Sequence, residues 1–330
     1  MATPASSIGT AFDIRSDSQP EARDIAVLAP WPLFTVTIEC HDGENETVYL
    51  HAGGQGVWVA RMVASLGQRP MLVGPFGGES RHAIRDLVEA EGIGVRAISV
   101  KGRNGGYVDD RRSGSRQRVA TGAAPRLDRH EMDDLYNAAF AEGLRCGTLV
   151  MTGIPEGEVL PVDFFKRLAL DLSANGVAVV ADISGSLLQG VEEGLAVLKV
   201  SHEELIDAGL CESDDHEAVI AAMEKLRPKA RNVVVSLADK GVLALFDGVI
   251  HFAAPPRLQV VDPSGAGDSM TAALAVASAT GMSGDDALRL ATAAGAMNVT
   301  RHGRGSGNMR DILELARRIE VSTSSQSHST

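Results

Sequence analysis

Four short runs in the second half of the chain restrict its fold most. GTLVMTG (147–153), VAVVADI (177–183), AVLKV (196–200) and NVVVSL (232–237) are apolar at odd and even positions alike. A strand that is apolar on both faces is buried on both, which is the situation of parallel strands covered by helices on either side. Helical periodicity fills intervals near 161–174 and 214–226 and returns near 267–280, 285–299 and 309–319. Upstream the texture changes. DIAVLA (24–29), FTVTIEC (34–40), ETVYLHA (46–52), VRAISV (95–100) and a stretch near 105–120 read as strands, with helical patterns at about 55–67 and 79–91. FTVTIEC alternates apolar and polar residues, as a strand with one wet face does. The expected fold is α/β: a doubly wound, mostly parallel sheet flanked by helices, with a small β-rich lid from about 34–52 and 95–120.

The 330 residues suffice for one large domain, expected over 25–320. The polar stretches 1–24 and 321–330 carry no periodicity and are expected to be disordered. A formal net charge of -12 argues against nucleic acid or an anionic membrane as partner. It leaves room for a phosphate ligand, which needs only local cations and aimed N–H groups. Cysteines at 40, 146 and 211 offer neither a disulfide framework nor zinc spacing. No apolar run approaches the ~18 residues of a membrane span, and the first residues lack the basic-then-apolar order of a signal peptide. A cytoplasmic location is expected.

The strongest chemical signal is VVDPSGAGDSMTAALAVASATG, 260–281. A short apolar run ends at Asp262, and Pro263-Ser264-Gly265-Ala266-Gly267-Asp268 turns directly into a small-residue helix. Glycines let the backbone bend so that its N–H groups converge, and a helix start adds unpaired N–H groups and the positive end of its dipole. Such a hole suits a phosphate, or charge developing on a phosphoryl group. Asp268 then stands at its mouth, where phosphoryl transfer needs a base for the attacking hydroxyl. By itself the pattern fits equally well a turn with an acidic helix cap.

This segment resembles the signature of the PfkB/ribokinase-like carbohydrate kinases, Asp-Thr-x-Gly-Ala-Gly-Asp. HAGGQGVWVARMVASLGQRPMLVGPFGGES (51–80), MTGIPEGEV (151–159), VVADISGSLLQGV (179–191), LKVSHEEL (198–205) and VVSLADKGVL (234–243) follow the family's blocks in order. Within the family the pattern is most similar to the phosphosugar kinases, the 1-phosphofructokinases and tagatose-6-phosphate kinases. The resemblance implies a ribokinase-like fold, ATP with Mg2+ as cofactors, a role for a monovalent cation, and a homodimer formed through the lid.

Residue by residue, it implies Asp268 as catalytic base with Gly265, Ala266 and Gly267 as the anion hole. Pro263 replaces the usual Thr and removes one N–H. Ser236, Ala238, Asp239 and Gly241 match the Ser-x-Gly-x-x-Gly strand-turn that contacts the nucleotide, with Ala238 where the first Gly stands. Lys199 and Glu204 match a Lys-Pro-Asn-x-x-Glu block; Lys199 falls on the ATP side, and Glu204 helps order magnesium and its waters. Val200 and Ser201 replace the Pro and Asn. Asn298 and the turn His302-Gly303-Arg304-Gly305 resemble the region around the adenine and a monovalent-cation site, and fit equally a helix C-cap with a solvated turn. Asp182 ends a buried strand, where α/β ligands gather.

The acceptor side departs further. The branch reads Gly-Gly-Lys-Gly-x-Asn-Val-Ala where this chain has Gly53-Gly54-Gln55-Gly56-Val57-Trp58-Val59-Ala60. Gln55 takes the place of a cation and Trp58 that of a sugar-binding Asn. Ala29-Pro30-Trp31-Pro32-Leu33-Phe34 stands where the branch has an Asp for sugar hydroxyls. Trp58 reads either as a helix-face core residue or as a wall for a bulkier acceptor. Lys101, Arg103, Arg111, Arg112, Arg116 and Arg118 form a basic stretch that fits a solvated lid hairpin, and Arg103 falls where the branch grips the acceptor's phosphate, so it reads equally as a phosphate contact or as one of the solvated residues. The expected activity is ATP-dependent phosphoryl transfer to a hydroxyl of a small sugar or phosphosugar. The alternatives are a kinase for a non-phosphorylated acceptor, such as a nucleoside or modified sugar, and a non-catalytic sensor of a metabolite or nucleotide.

Overall fold

Along 24–28, Ile25 and Val27 enter one apolar core while Ala26 and Leu28 enter a second on the opposite face. Val150 and Val180 enter the first core, and their neighbours Leu149, Met151, Val179 and Ala181 the second. A strand sandwiched in this way has no wet face, and burial of both sides is what favours a parallel sheet under two helix layers.

The computed structural model describes residues 22–40, 45–153, 159–301 and 303–324. The order is β1 (Asp24–Leu28), β2 (Leu33–Cys40), β3 (Glu46–Gly53), α1 (Gln55–Ser65), β4 (Arg69–Gly77), α2 (Arg81–Ala90), β5 (Gly94–Val100), β6 (Gly106–Asp110) and β7 (Gln117–Gly122). Next come α3 (Arg129–Cys146), β8 (Thr148–Thr152), α4 (Val162–Ala174), β9 (Ala178–Asp182), α5 (Gly185–Gly190), β10 (Leu195–Ser201), α6 (His202–Asp207) and α7 (His216–Leu226). The last are β11 (Ala230–Ser236), β12 (Val242–Phe246), β13 (Val249–Ala253), α8 (Ala266–Thr280), α9 (Gly284–Asn298), α10 (Met309–Arg318) and β14 (Val321–Ser324).

The main sheet runs β14-β13-β12-β11-β10-β9-β8-β1-β4-β5. It is parallel from β11 to β5 and antiparallel through β12, β13 and β14. A second sheet of four strands runs β3-β2-β6-β7. Helix α8 is small and apolar nearly all round, and Ser269–Ala277 are buried. A helix with no polar face belongs inside a core, and α8 lies against α1 and α9.

Three features differ from the sequence reading. Residues 94–100 form the edge strand of the main sheet and not part of the small one, because β5 pairs along its whole length with β4. The expected disordered tail begins with β14, which pairs with β13 through Val321↔Ala253 and its neighbours; residues 325–330, like 1–21, lie outside the described residues. Helix α3 was not expected, since charges interrupt its apolar spacing. Its signal was the capping box: the Asp128 carboxylate accepts from the Glu131 N–H at 3.0 Å and Glu131 accepts from the Asp128 N–H at 2.8 Å.

Candidate active site

The carboxyl ends of the parallel strands face the start of α8, the position where open α/β sheets gather ligands. Gly265 caps that helix at φ 88, a left-handed conformation that glycine adopts without a Cβ penalty. Asp262 shapes the preceding turn by accepting from the Ser264 N–H at 2.9 Å. The helix opens with Asp268 inside its first turn, whose N–H groups have no acceptor within the helix; that of Ala266 turns back to the Pro263 carbonyl at 3.5 Å. Burial pushes the Asp268 carboxyl up to about 7, helped by the charge of Asp182; Lys199, Arg304 and a hydrogen bond from Gln55 pull the other way. A carboxylate poised near neutrality is suited to accept a proton.

Beneath it lies a buried ionic cluster. Lys199 Nζ stands 3.3 Å from Asp182 Oδ1, and Thr271 donates to Asp182 Oδ2 at 2.8 Å. Burial works against the Lys199 charge, but Asp182, Glu204 and Asp268 outweigh it and hold its pKa raised. Gly267 is the point of contact: a Cβ there would stand 2.6 Å from Lys199 Nζ. The cation thus backs the anion hole from below.

Two cavities flank the turn that leads into this helix, Asp262 lining one and Pro263, Ala266 and Gly267 the other. The larger, about 1250 Å3, is lined by Ser236, Ala238, Asp239 and Gly241 on one side and by Ala266 and Gly267 on the other. The smaller, about 280 Å3, lies under the second sheet and is lined by Trp58, Arg61, Arg111, Arg116, Asp262 and Arg304 among others. Asp109, buried in its wall, holds Arg116 at 2.7 Å and also pairs with Arg118. Its own burial opposes ionisation, but the two guanidinium groups prevail and keep its pKa low. Arg111 reaches Asp262 at 3.3 Å, tying the small sheet to the anion-hole turn.

Most of the expected residues converge here. Gly53 and Gly54 carry the chain from β3 into α1, and a Cβ on Gly54 would stand 2.3 Å from the Trp31 carbonyl oxygen. Gln55, next in line, hydrogen-bonds Asp268. Trp58 is half-buried and lines the smaller cavity, so it is not a core residue. Ser236, Ala238, Asp239 and Gly241 line the larger one, with Ala238 in a left-handed φ of 52 that its Gly counterpart would adopt freely. Trp31 is buried elsewhere, edge-on to Tyr107 at 5.7 Å.

Four placements differ. Arg103 is 78% exposed beside Glu79 and lines neither cavity. Asn298 is fully buried and donates to the Ser264 carbonyl at 2.8 Å while accepting from the Gly305 N–H at 2.9 Å, so its amide is spent inside the protein and not on a nucleotide. Lys199 sits under Gly267 and is not a cavity-lining group. Glu204 closes a capping box with Ser201, accepting that residue's N–H at 2.7 Å, so one carboxylate oxygen is engaged in the fold. His302 and residues 154–158 of the expected blocks lie outside the described residues. Arg61 was missed. It directly follows the Gly53–Ala60 motif, so its signal was its place in that block, and the fold brings it to the cavity.

A mostly parallel sheet between helix layers, a second small sheet, and a glycine turn into a helix that carries a buried carboxylate are the features of a ribokinase-like fold. The model of the pfkB family of carbohydrate kinases matches residues 34–311. The ATP-dependent 6-phosphofructokinase isozyme 2 of Mycobacterium tuberculosis is 30% identical over 275 residues, covering 80% of this chain and 79% of that one. The 1-phosphofructokinase of Vibrio cholerae is 28% identical over 287 residues, covering 83% and 86%. Among solved structures, phosphofructokinase-2 from Escherichia coli in complex with potassium superposes with a TM-score of 0.78 at 23% identity, covering 90% of this chain and 99% of that one. Ribokinase of Arabidopsis thaliana complexed with ribose and ATP gives 0.69 at 22% identity, covering 90% and 99%. The chain belongs to the pfkB family of carbohydrate kinases, enzymes that transfer phosphate to a hydroxyl group.

Proposed function

We propose that the protein transfers the γ-phosphoryl group of ATP to a hydroxyl of a small phosphorylated sugar. The observation that carries this reading is the pair of cavities on either side of the turn into α8, with Gly267 lining one and Arg304 and Asp262 lining the other. The larger cavity has room for a nucleotide. Its phosphates would reach the N–H groups around Gly265–Gly267, and the acceptor would lie beneath the small sheet. The acceptor oxygen bonds to the γ-phosphorus as the bond from phosphorus to the bridging oxygen breaks. ADP leaves with that electron pair, and Asp268 takes the hydroxyl proton.

The cavity of about 280 Å3 is lined by Arg61, Arg111, Arg116 and Arg304 and by Glu39, Asp109 and Asp262; Arg61 pairs with Glu91, Arg111 with Asp262 and Arg116 with Asp109, so the lean towards an anionic acceptor rests chiefly on Arg304. The phosphofructokinase names of the relatives point the same way, to a fructose phosphate. Among the described residues no three His, Cys, Asp or Glu side chains form a metal site. That fits magnesium, which is held chiefly by nucleotide phosphates and water and needs only one or two carboxylates. The Glu204 oxygen left outside its capping box is the candidate to order that water. Bound magnesium would neutralise charge on the nucleotide's phosphates.

The test is ATP consumption with magnesium across fructose 6-phosphate, fructose 1-phosphate, tagatose 6-phosphate, free sugars and nucleosides, with Asp268→Asn alongside. A phosphosugar response lost at least about 100-fold in the variant supports the reading. Turnover of neutral acceptors alone would overturn the acceptor class. ATP binding without turnover in either protein would favour a sensor.

A further inference from the structure

Arg304, in the turn after α9, is held tightly by the fold. The Arg61 guanidinium donates to its carbonyl at 2.8 Å. The next residue, Gly305, sits so close to Trp58 that a Cβ would stand 2.1 Å from the Trp58 carbonyl oxygen. On its other side, Arg304 packs against the anion-hole cap, with its Cβ 3.1 Å from where a Gly265 Cβ would be. Its guanidinium lies over the Trp58 ring at 4.5 Å from the centroid.

Among the described residues this guanidinium forms no salt bridge. It feels Asp262 and Asp268 only at longer range, and is crowded by the like charges of Arg116 and Arg118. A half-buried cation held on an aromatic face, with no ion-pair partner among the described residues, is poised for an anion. The place it occupies is the boundary between anion hole and acceptor cavity.

We propose that Arg304 contacts the phosphoryl group in flight between nucleotide and acceptor, and that Trp58 is the positioning residue that holds it there. The proposal rests on the kinase reading above. It also links two departures on the acceptor side: Gln55 has given up a cation, and Trp58, in place of an amide, carries one brought by a different segment. Trp58 then serves as a platform for Arg304 more than as a wall for the acceptor.

The test is calorimetric binding of ADP with magnesium, with and without tetrafluoroaluminate as the mimic of the transferring group. It compares the wild type with Arg304→Ala, Arg304→Lys, Trp58→Phe and Trp58→Leu. Expected is a loss of about 100-fold for the aluminate complex in Arg304→Ala, with the affinity for ADP alone unchanged. Arg304→Lys should recover part of the loss, since it restores the charge without the planar fork. Trp58→Phe should stay near wild type and Trp58→Leu should not. The double variant Arg304→Ala/Trp58→Leu should be no weaker than Arg304→Ala, because the platform has then nothing to carry. Wild-type-like aluminate binding by Arg304→Ala, an equal loss for ADP alone, or additive effects of the two positions would overturn the proposal. A wild-type protein that binds no ADP would overturn the kinase reading itself, and this inference with it.

Discussion

Asp268, the proposed base, ties stability to pH through its own burial. Its carboxyl, normally near 3.8, is pushed up to about 7 by burial and by the charge of Asp182, so the folded chain holds the proton more tightly than the unfolded one. Folding therefore takes up a proton between those two values, and the contribution to stability, complete below about 3.8, is lost as pH rises through about 7. Asp268→Asn removes this dependence. Its melting temperature should exceed the wild type's by an amount that grows from pH 4 to about pH 7 and then levels off, as scanning calorimetry would show. The base must be ionised to work, so wild-type kcat/KM should rise with pH below about 7 and flatten above it. A flat profile from pH 5 to 9, with no change in the melting difference, would remove Asp268 from the base role. The motif made this residue conspicuous, but its environment is assembled from Asp182, Lys199, Arg304 and Gln55, which come from four other segments.

At the scale of elements, the anion-hole turn and the turn after α9 act as one piece because Asn298 joins them. Its amide satisfies a buried carbonyl at Ser264 and a buried N–H at Gly305. Asn298→Ala leaves both groups unpaired, and the cost should be about 2–3 kcal/mol, readable by urea denaturation. The same change should loosen Arg304, so aluminate-complex binding should weaken beyond what the loss of stability accounts for. Normal stability would show that the two turns hold without the bridge. The resemblance had placed Asn298 beside the nucleotide; its spacing at the end of a helix gave no sign of whether the amide faced a ligand or a neighbouring loop. Strand β2 carries the same lesson. Its alternation was plain in FTVTIEC, but the polar face, Thr35, Thr37 and Glu39, lines the smaller cavity. The apolar residues Val36 and Ile38 pair with Leu50 and Val48 on the face turned away.

For the whole molecule, that outer face has a consequence. Val48 is 59% exposed and Leu50 50%, two positions apart on β3 at the edge of a sheet whose other side lines the smaller cavity. Exposed apolar side chains on a sheet edge suit an interface, and we propose that two copies pair through this one. Leu50→Glu should convert a dimer to a monomer in sedimentation velocity and weaken acceptor turnover, because the sheet would no longer be held over the cavity. A wild type that sediments as a monomer at micromolar concentration would refute the pairing.

What the sequence determined by itself is whatever local pattern encodes. Runs apolar on both faces specify buried parallel strands, and Gly265-Ala266-Gly267-Asp268 specifies a glycine turn into a helix with a carboxylate in its first turn, since turn geometry and helix-start chemistry need only neighbouring residues. Only the tertiary structure decided which distant groups surround that turn. It brought Arg61, Arg111, Arg116 and Arg304 around one cavity, left Arg103 outside, and set Trp58 beneath Arg304. The physical reason is that a side chain's charge and hydrogen-bonding capacity act through space over a few ångströms. Which groups come within that range depends on how the helices and the second sheet pack, and no local window of the chain contains that information.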